Sequence, residues 1–333
     1  MGKSRKYWLI AAGDALRDYS DVFLRFGVML VGSGDSGSYF ENRKAYSEID
    51  RVRRFAEEVQ PGDVVILKRG VRSIVATGIV DEREDSYFHS EVFGDVQGFS
   101  IQHGRYVTWY KPDEEVLVSG LARGTLTHTY KSHIQQFAER IIHENTALTS
   151  DEIPSPAENV DDEELIDYLI MHGLGSGQAE EVIRAFWRVR RLGRWYEYKG
   201  EDVSEHETRT FLVVPLLLAL GWPEQRLKIE WKQLDIAFFK SNYSPDANPM
   251  MILESKRLDR PLLGAEKQAK NYSKKFPHCN KLVVSNGIRY LLFVKKKNEW
   301  LPKAYLNLLK LRTRHPYYVE IYGAPELLAQ LLP

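Results

Sequence analysis

The sequence predicts a two-domain α+β protein, in which a small β-barrel is followed by a linker and by a mixed sheet flanked by helices. The length of 333 residues suits about two domains. Short runs rich in β-branched and aromatic residues fill the first part of the chain, whereas helical and strand patterns alternate in the last part. We therefore divide the chain into residues 1–148, 149–200 and 201–333.

Five short runs in the first domain have the composition of strands and are bounded by Gly, Pro and Asp. They are Tyr7–Ala11, Val28–Val31, Asp63–Lys68, Ile74–Val80 and Tyr106–Tyr110. Apolar periodicity predicts helices over Ile49–Val59 and His133–His143. This spacing is typical of a small, mostly antiparallel β-barrel with a few helices.

Residues 149–162 have the composition of a linker, because two prolines and a run of acids cannot build a core. Helices are predicted next over Glu163–Met171 and Gln178–Arg191, with a glycine-rich turn between them. The second helix carries several arginines, among them Arg188 and Arg191. These two can contact a DNA phosphate backbone, or they can lie in solvent while the aromatic residues of the helix pack inward.

Composition excludes several classes of protein. Hydrophobic residues make up 43% and charged residues 28%, which is ordinary for a globular chain. The longest apolar stretch is roughly ten residues, half of what a membrane span needs. The apolar run near the N-terminus is too short for a signal peptide, and the single Cys279 excludes an internal disulfide and a cysteine-based zinc site. We expect a cytoplasmic protein with no membrane association.

Charge is distributed unevenly along a chain whose net charge is zero. Residues 201–333 carry 21 lysines and arginines against 14 acidic residues, whereas residues 151–200 carry 6 against 11. The basic last part suits a polyanionic partner, although a solvated lysine-rich surface gives the same pattern. No phosphate-binding loop is present, because the Gly2-Lys3-Ser4 triplet has no strand or first glycine before it. We expect no use of ATP.

One pair of predicted strands carries the groups suited to catalysis. Asp235 interrupts the apolar strand Ile229–Phe239, and the strand Met250–Lys256 places Glu254 and Lys256 on one face. Charges on an apolar strand are costly unless they are paired or bound to a metal. Carboxylate oxygens are typical Mg²⁺ ligands, and Lys256 would then orient the attacking water. A hairpin with a structural Glu–Lys pair is the alternative interpretation.

The order of Asp235, an interval of 18 residues, and Glu254-x-Lys256 resembles the PD-(D/E)XK nuclease superfamily. More narrowly, it resembles the N-terminal nuclease domain of type I restriction enzyme motor subunits. The blocks that agree with that family, over roughly residues 201–295, are Ser204-Glu205-His206-Glu207-Thr208-Arg209, Pro215-Leu216-Leu217-Leu218-Ala219-Leu220-Gly221-Trp222, Glu254-Ser255-Lys256-Arg257, Gln268-x-x-x-Tyr272 and Val284-Ser285-Asn286-Gly287.

The resemblance implies a nuclease dependent on Mg²⁺ or Mn²⁺. Asp235 and Glu254 would be metal ligands together with the Ser255 carbonyl, and Lys256 would position or activate water. Gln268 and Tyr272 lie one helical turn apart, so both can face the active site and the DNA.

A further acid is expected on the helix that precedes these strands. Ser204 and Glu207 have the spacing of a capping box, so Glu207 can simply close the start of the helix. Alignment with the family favours Glu205 as the acid near the metal. We predict Glu205, with Glu207 as the alternative.

The first domain resembles the PUA-like superfamily, which includes the EVE and YTH domains, over roughly residues 5–140. The resemblance rests on Tyr7-Trp8-Leu9-Ile10-Ala11, Pro61-Gly62-Asp63-Val64-Val65 and the segment from Asp95 to Trp109. It implies a pocket for a single, usually modified, base extruded from the duplex. Candidate pocket residues are Trp8, Tyr39, Phe40, Phe99, Trp109 and His103, although aromatic residues in a small barrel are mostly core.

Together these features predict an Mg²⁺-dependent DNA endonuclease that restricts foreign double-stranded DNA and selects it through a modified base. Cutting two strands with one site per chain suggests a homodimer on DNA. The alternatives are a nucleic-acid-binding protein without catalysis and an RNA-directed nuclease, since PUA-like folds frequently bind RNA.

Overall fold

The computed structural model describes residues 5–14, 17–82, 86–199 and 203–333, so the Gly2-Lys3-Ser4 triplet lies outside the described residues. The chain folds as two compact units, Met1–Pro156 and Ala157–Pro333, and each combines helices with one sheet. The protein is therefore a two-unit α+β protein. Every helix in the described ranges is too short or too polar to cross a membrane.

The first unit is built on a curled sheet. Its strands are β1 (Tyr7–Ala11), β2 (Val28–Val31), β3 (Val64–Arg69), β4 (Ser73–Val80), β5 (Tyr87–His89), β6 (His103–Tyr110), β7 (Val116–Leu117) and β8 (Leu126–His128). The helices are α1 (Ser20–Arg25), α2 (Asp50–Glu57) and α3 (Ser132–Glu144), with 3-10 turns at Arg43–Tyr46 and Glu91–Phe93.

The strand order of this sheet is β2-β6-β4-β3-β1-β8, with β5 paired to β6 and β7 paired to β4. The β1–β3 pair is parallel and the other pairs are antiparallel. Within the described residues β2 does not pair with β8, so the small, mostly antiparallel β-barrel that we predicted is present as a curled half-barrel.

A buried arginine ties α2 to this sheet. Arg105 on β6 donates hydrogen bonds to the carbonyl oxygens of Phe55 (3.1 Å) and Ala56 (2.7 Å) and to Ser86 Oγ (2.8 Å). The last carbonyls of a helix have no partner within the helix, so a buried donor at that end is stabilising. A charged residue that would be unfavourable in the core is thereby satisfied.

Residues 149–161 contain no helix or strand, yet they are hydrogen-bonded to the folded units. Asp151 N donates to Arg25 O (2.7 Å) in the first unit, and Val160 N donates to Leu311 O (3.1 Å) in the second. The boundary between the units, after Pro156, falls inside the segment that composition marks as a linker.

The second unit is built on a six-stranded mixed sheet. Its strands are β9 (Leu227–Trp231), β10 (Leu234–Phe238), β11 (Met251–Ser255), β12 (Lys281–Ser285), β13 (Arg289–Lys296) and β14 (Glu299–Asn307). Its helices are α4 (Asp162–Met171), α5 (Ser176–Lys199), α6 (Glu205–Glu207), α7 (Val214–Ala219), α8 (Leu262–Ser273) and α9 (Ala324–Gln330), with a π-helical segment at Thr208–Val213 and a 3-10 turn at Glu224–Arg226.

The order of this sheet is β14-β13-β12-β11-β10-β9, parallel at β11–β12 and antiparallel at the other pairs. Helices cover both faces. Ile236 and Leu253 pack in a core with residues of α5, α7 and α9, whereas Ala237 and Ile252 pack with residues of α8. Because side chains alternate along a strand, Asp235 and Glu254 belong to the α8 face.

Most predicted elements differ from the structure by a few residues at an end, and two differ more. The single strand predicted over Ile229–Phe239 is a hairpin of β9 and β10, turned at Lys232 (φ 48°) and Gln233 (φ 72°). Two left-handed residues form the tight turn that matches strand twist, but they are commonly Asn and Gly, which are absent at this turn. The helix predicted over Gln178–Arg191 extends from Ser176 to Lys199.

Candidate active site

Three elements bring carboxylates together near the end of the second sheet. The antiparallel register pairs Ile236 with Leu253, which places Asp235 across from Glu254. Glu205 approaches from the start of α6. Oxygen atoms of the three carboxylates lie within 4.8 Å of one another. This is a set of hard oxygen donors of the kind that Mg²⁺ or Mn²⁺ takes in proteins.

Lys256 follows β11 and lies among these acids. Its Nζ donates to Glu205 Oε1 (2.9 Å), to Gln268 Oε1 (2.9 Å) and to Glu254 Oε1 (3.4 Å), so three acceptors match the three donors of an ammonium group. Burial lowers the pKa of Lys256, but its hydrogen bond to Glu205 and the charges of the neighbouring carboxylates outweigh burial and raise the pKa overall. Lys256 is therefore a cation at neutral pH.

Glu254 is the most buried member of the cluster, with 1% of its surface exposed. Its Oε2 atom is buried and has no hydrogen-bond partner among the described residues. Burial first, and then the charge of Asp235, raise the pKa of Glu254 to about 8, while Lys256 acts in the opposite direction. An unsatisfied buried oxygen beside two further carboxylates fits a site for a divalent cation.

Asp235 is held by the protein through both oxygens. Oδ2 accepts hydrogen bonds from the backbone N (2.7 Å) and Oγ (2.9 Å) of Ser255. Oδ1 accepts a hydrogen bond from Arg209, which is buried on the π-helical segment and also bonds to Glu230. Ser255 thus contacts Asp235 through its amide and hydroxyl, whereas the sequence interpretation had used its carbonyl as a metal ligand.

Sequence reasoning assigned no role to Arg209 or Glu230. Arg209 stands in the Ser204–Arg209 block, so a signal was present, but nothing local indicates which carboxylate the guanidinium contacts. The contact of Glu230 with Arg209 could not be predicted from the sequence, because the sequence did not predict the hairpin of β9 and β10 on which Glu230 lies.

Gln268 and Tyr272 belong to the same network, on α8. Gln268 Oε1 accepts from Lys256, and its Nε2 donates to Tyr272 OH (3.2 Å). The amide therefore orients the ammonium group and is itself oriented by the phenol. The i,i+4 spacing places both side chains on the face that points to the carboxylates.

The structure separates the two glutamates of α6. Ser204 Oγ accepts from Glu207 N (3.1 Å), and Glu207 Oε2 accepts from Ser204 N (2.9 Å), which is a complete capping box. The hydrogen bonds from Ser204 lower the pKa of Glu207. Glu207 closes the helix start, and Glu205 reaches Lys256. Arg188 and Arg191 are exposed on α5 and make no hydrogen bond to this cluster.

Two of the predicted base-pocket residues are core residues. Trp8 is buried and donates to Asp63 Oδ2 (2.9 Å), and Trp109 is buried and donates to Val28 O (3.1 Å). Neither ring lines an accessible pocket, which corrects the sequence interpretation. The physical reason is that large apolar rings fill the interior of a small curled sheet.

Tyr39 and His103 are also buried, and their polar atoms are already bonded. Tyr39 OH donates to Glu57 Oε1 (2.7 Å). His103 Nε2 lies 2.9 Å from Ser33 O, and Nδ1 lies 2.8 Å from Tyr87 OH. Burial lowers the pKa of His103 to about 4, with a further decrease from His89. Both residues are structural and leave no group free to read a base.

Phe40 lies on an open groove of the first unit, with 46% of its surface exposed. The groove has a volume of about 740 Å³ and is also lined by Tyr87, Ser38, His89 and Glu91. Tyr87, which the sequence interpretation missed, packs edge-on against Phe40 at 4.9 Å between ring centroids. Its signal was the aromatic pair that opens β5, Tyr87-Phe88.

Phe99, the remaining candidate, is half-buried. The guanidinium of Arg17 lies 4.3 Å from its ring centroid, and its ring also contacts Tyr19. Phe99 is not among the residues that line the groove.

Comparison with known proteins finds one family match, which lies in the first unit. Residues 33–131 match the model of a family described as a domain of unknown function (DUF8426). Neither the curated proteins nor the solved structures contain a match to this chain. The matched segment includes the residues named above as lining the groove, Phe40 and Tyr87 among them.

Proposed function

We propose that the second unit hydrolyses DNA phosphodiester bonds in a reaction that needs Mg²⁺ or Mn²⁺, and that the two units have PD-(D/E)XK and PUA-like folds. The observation that carries the proposal is the arrangement of Lys256 among the carboxylates of Glu205, Asp235 and Glu254. Apolar residues would stabilise the fold as well as this buried charge cluster or better. Buried, perturbed ionisable groups that converge from several elements are typical of catalytic sites.

Three carboxylates would hold the cation, those of Glu205, Asp235 and Glu254. A bound divalent cation supplies Lewis acidity at a phosphoryl oxygen. Asp235 is oriented for this role by the two hydrogen bonds from Ser255. Arg209 offsets part of the negative charge.

Lys256 would act on the nucleophile and the phosphoryl group. Its raised pKa keeps it protonated, so it would orient water by donating to it the hydrogen bond that here runs to Glu254 Oε1 (3.4 Å), and it would stabilise developing negative charge. Gln268 would act as a positioning residue because it holds the ammonium group, and Tyr272 because its hydroxyl holds the amide of Gln268.

The first unit would select the site on duplex DNA. A flipped base stacks on exposed aromatic rings and hydrogen-bonds to polar groups at the pocket wall. The groove beside Phe40 and Tyr87 offers both, with Ser38 and His89 close by. A modified base is the expected ligand, restriction of foreign DNA is the expected role, and a homodimer on DNA would cut both strands.

The test is cleavage of one plasmid in three forms, unmodified, cytosine-methylated and hydroxymethylated, with Mg²⁺, Mn²⁺ or EDTA. Lys256→Ala is the active-site variant, and Lys267→Ala, exposed on α8, is the matched control. We expect cleavage of modified DNA that EDTA and Lys256→Ala abolish and Lys267→Ala preserves. Cleavage by Lys256→Ala at the wild-type rate would overturn the site. Equal cleavage of all three plasmids would contradict the selection of a modified base but not the nuclease site.

Nucleic-acid binding without hydrolysis is the second candidate. It is favoured by the contacts of Asp235, whose oxygens are already bonded to Ser255 and Arg209. Tight DNA binding in EDTA, with no cleavage of DNA or RNA in either metal, would establish it.

A further inference from the structure

Helix α5 presents a row of exposed arginine and aromatic side chains. Each member of the row has another member three or four positions away, so the row lies on one face of the helix. The row consists of Trp187, Arg188, Arg191, Arg194, Trp195 and Tyr198. The opposite face, with Val182, Phe186 and Val189, is buried in the core of the second unit.

The aromatic members of the row are unusually exposed for their size. Trp187, Trp195 and Tyr198 leave 60%, 44% and 88% of their surface accessible. Trp187 is anchored at one point, since its Nε1 donates to Asp162 Oδ2 (3.0 Å). Scattered apolar residues at a surface need no explanation, but exposed large rings that share one helix face with several arginines mark an interaction surface.

The arginines of the row are available for a ligand. Arg188, Arg191 and Arg194 form no hydrogen bond or ion pair with any residue in the described part of the chain. From residue 184 to residue 198 the helix carries five arginines, a single acid (Glu197) and no lysine. The guanidinium group binds phosphate through paired hydrogen bonds and also stacks on flat rings.

The positive charge of the row indicates which type of partner it binds. A second copy of the chain would meet this face through a two-fold axis, which opposes arginine to arginine. A polyanion complements it. In a duplex the bases stack on one another and are not accessible to protein rings, whereas unpaired bases stack on exposed Trp and Tyr.

We infer that this face of α5 binds single-stranded DNA. Arg188, Arg191 and Arg194 contact successive phosphates, and Trp195 and Tyr198 stack on unpaired bases. The choice of DNA rests on the proposed function, but the surface does not include the carboxylate cluster. Strand binding and hydrolysis can therefore fail independently.

The first experiment measures binding of the full chain to a fluorescent oligothymidylate of about 20 nucleotides and to a duplex of equal length. EDTA is present, so the result does not depend on hydrolysis. The double variant Trp195→Ala/Tyr198→Ala should weaken single-strand binding at least about tenfold and duplex binding less than about twofold. Tyr198→Phe keeps the ring and should bind as the wild type does.

The second experiment tests the arginines. Arg188→Gln/Arg191→Gln should weaken binding to both ligands and lower the salt dependence of single-strand binding by about 1.4 in log–log slope. Lys296→Gln/Lys297→Gln removes the same charge from an exposed site of the same unit and should have a smaller effect.

Three results would overturn the inference. The first is wild-type binding by Trp195→Ala/Tyr198→Ala, and the second is an equal loss on single strand and duplex. The third is tighter binding of oligouridylate of the same length, because this would make RNA the ligand of the row.

Discussion

His103 of the first unit and Glu254 of the second are both buried, but among the described residues only His103 has a partner for every polar side-chain atom. In the first unit, His103 Nε2 donates to Ser33 O, which can only accept, so Nδ1 accepts from Tyr87 OH and the ring is neutral and fully bonded. In the second unit, Glu254 is equally buried, but one of its oxygens has no partner in the described part of the chain. A satisfied buried group is explained by the stability of the fold, whereas an unsatisfied carboxyl oxygen beside two further carboxylates indicates a missing ligand.

The largest expected effect tests whether the first unit uses its tryptophans for packing. Trp109→Ala should destabilise the protein by about 4 kcal/mol, because it removes a buried ring and the hydrogen bond to Val28 O. Phe40→Ala, at the exposed groove, should change stability by less than about 0.5 kcal/mol. Urea unfolding measures both. A loss of under about 1 kcal/mol for Trp109→Ala would contradict its place in the core.

The next effect concerns Asp235, the carboxylate of the candidate active site whose two oxygens both accept hydrogen bonds. Asp235→Ala should destabilise by about 3 kcal/mol, because the buried Arg209 loses one of its two carboxylate partners and Ser255 loses its acceptor. Asp235→Asn keeps an acceptor for Ser255 and should cost less. Thermal unfolding of the two variants distinguishes them. Equal stability of Asp235→Ala and the wild type would show that the contacts of Asp235 do not hold the fold together.

The pH dependence of the first unit follows from His103. Its pKa of about 4 lies below its ordinary value of 6.5, so the unfolded chain binds more protons between these values and stability falls as pH falls. From pH 7 to pH 5 the loss due to His103 should be about 2 kcal/mol, taken as the difference between the wild type and His103→Gln, because the raised pKa of Glu254 changes stability in the opposite direction in both proteins. Urea unfolding of the wild type and of His103→Gln at both pH values measures it. The variant should be less stable at pH 7 but lose less on acidification; equal losses would exclude His103 as the cause.

The smallest effect has the opposite sign. Above pH 8, Glu254→Gln should stabilise the protein in EDTA by about 1 kcal/mol, because the variant has no buried carboxyl to ionise there. Mg²⁺ should raise the melting temperature of the wild type but not that of the variant, since binding to the native state stabilises it. Glu207→Gln preserves the capping pattern and should keep the Mg²⁺ response. If Mg²⁺ raised the melting temperature of Glu254→Gln as much as that of the wild type, Glu254 would not be a metal ligand.

Relations between residues close in sequence were determined by the sequence itself. Alternation along β11 places Glu254 and Lys256 on one side, and helical spacing places Gln268 and Tyr272 on one face. The Ser204–Glu207 capping box is likewise a local pattern, and the structure contains it. Such relations follow from the fixed periods of strand and helix, so they need no knowledge of the partner elements.

Relations between distant segments were decided only by the tertiary structure. Arg209 meets Asp235 across 26 positions, and Lys256 meets Glu205 across 51. Packing also decided that Trp109 is buried while Phe40 lies at an open groove, although both are aromatic residues of one unit. Local propensity sets the period of an element, but the burial and contacts of each side chain depend on which other elements pack against it.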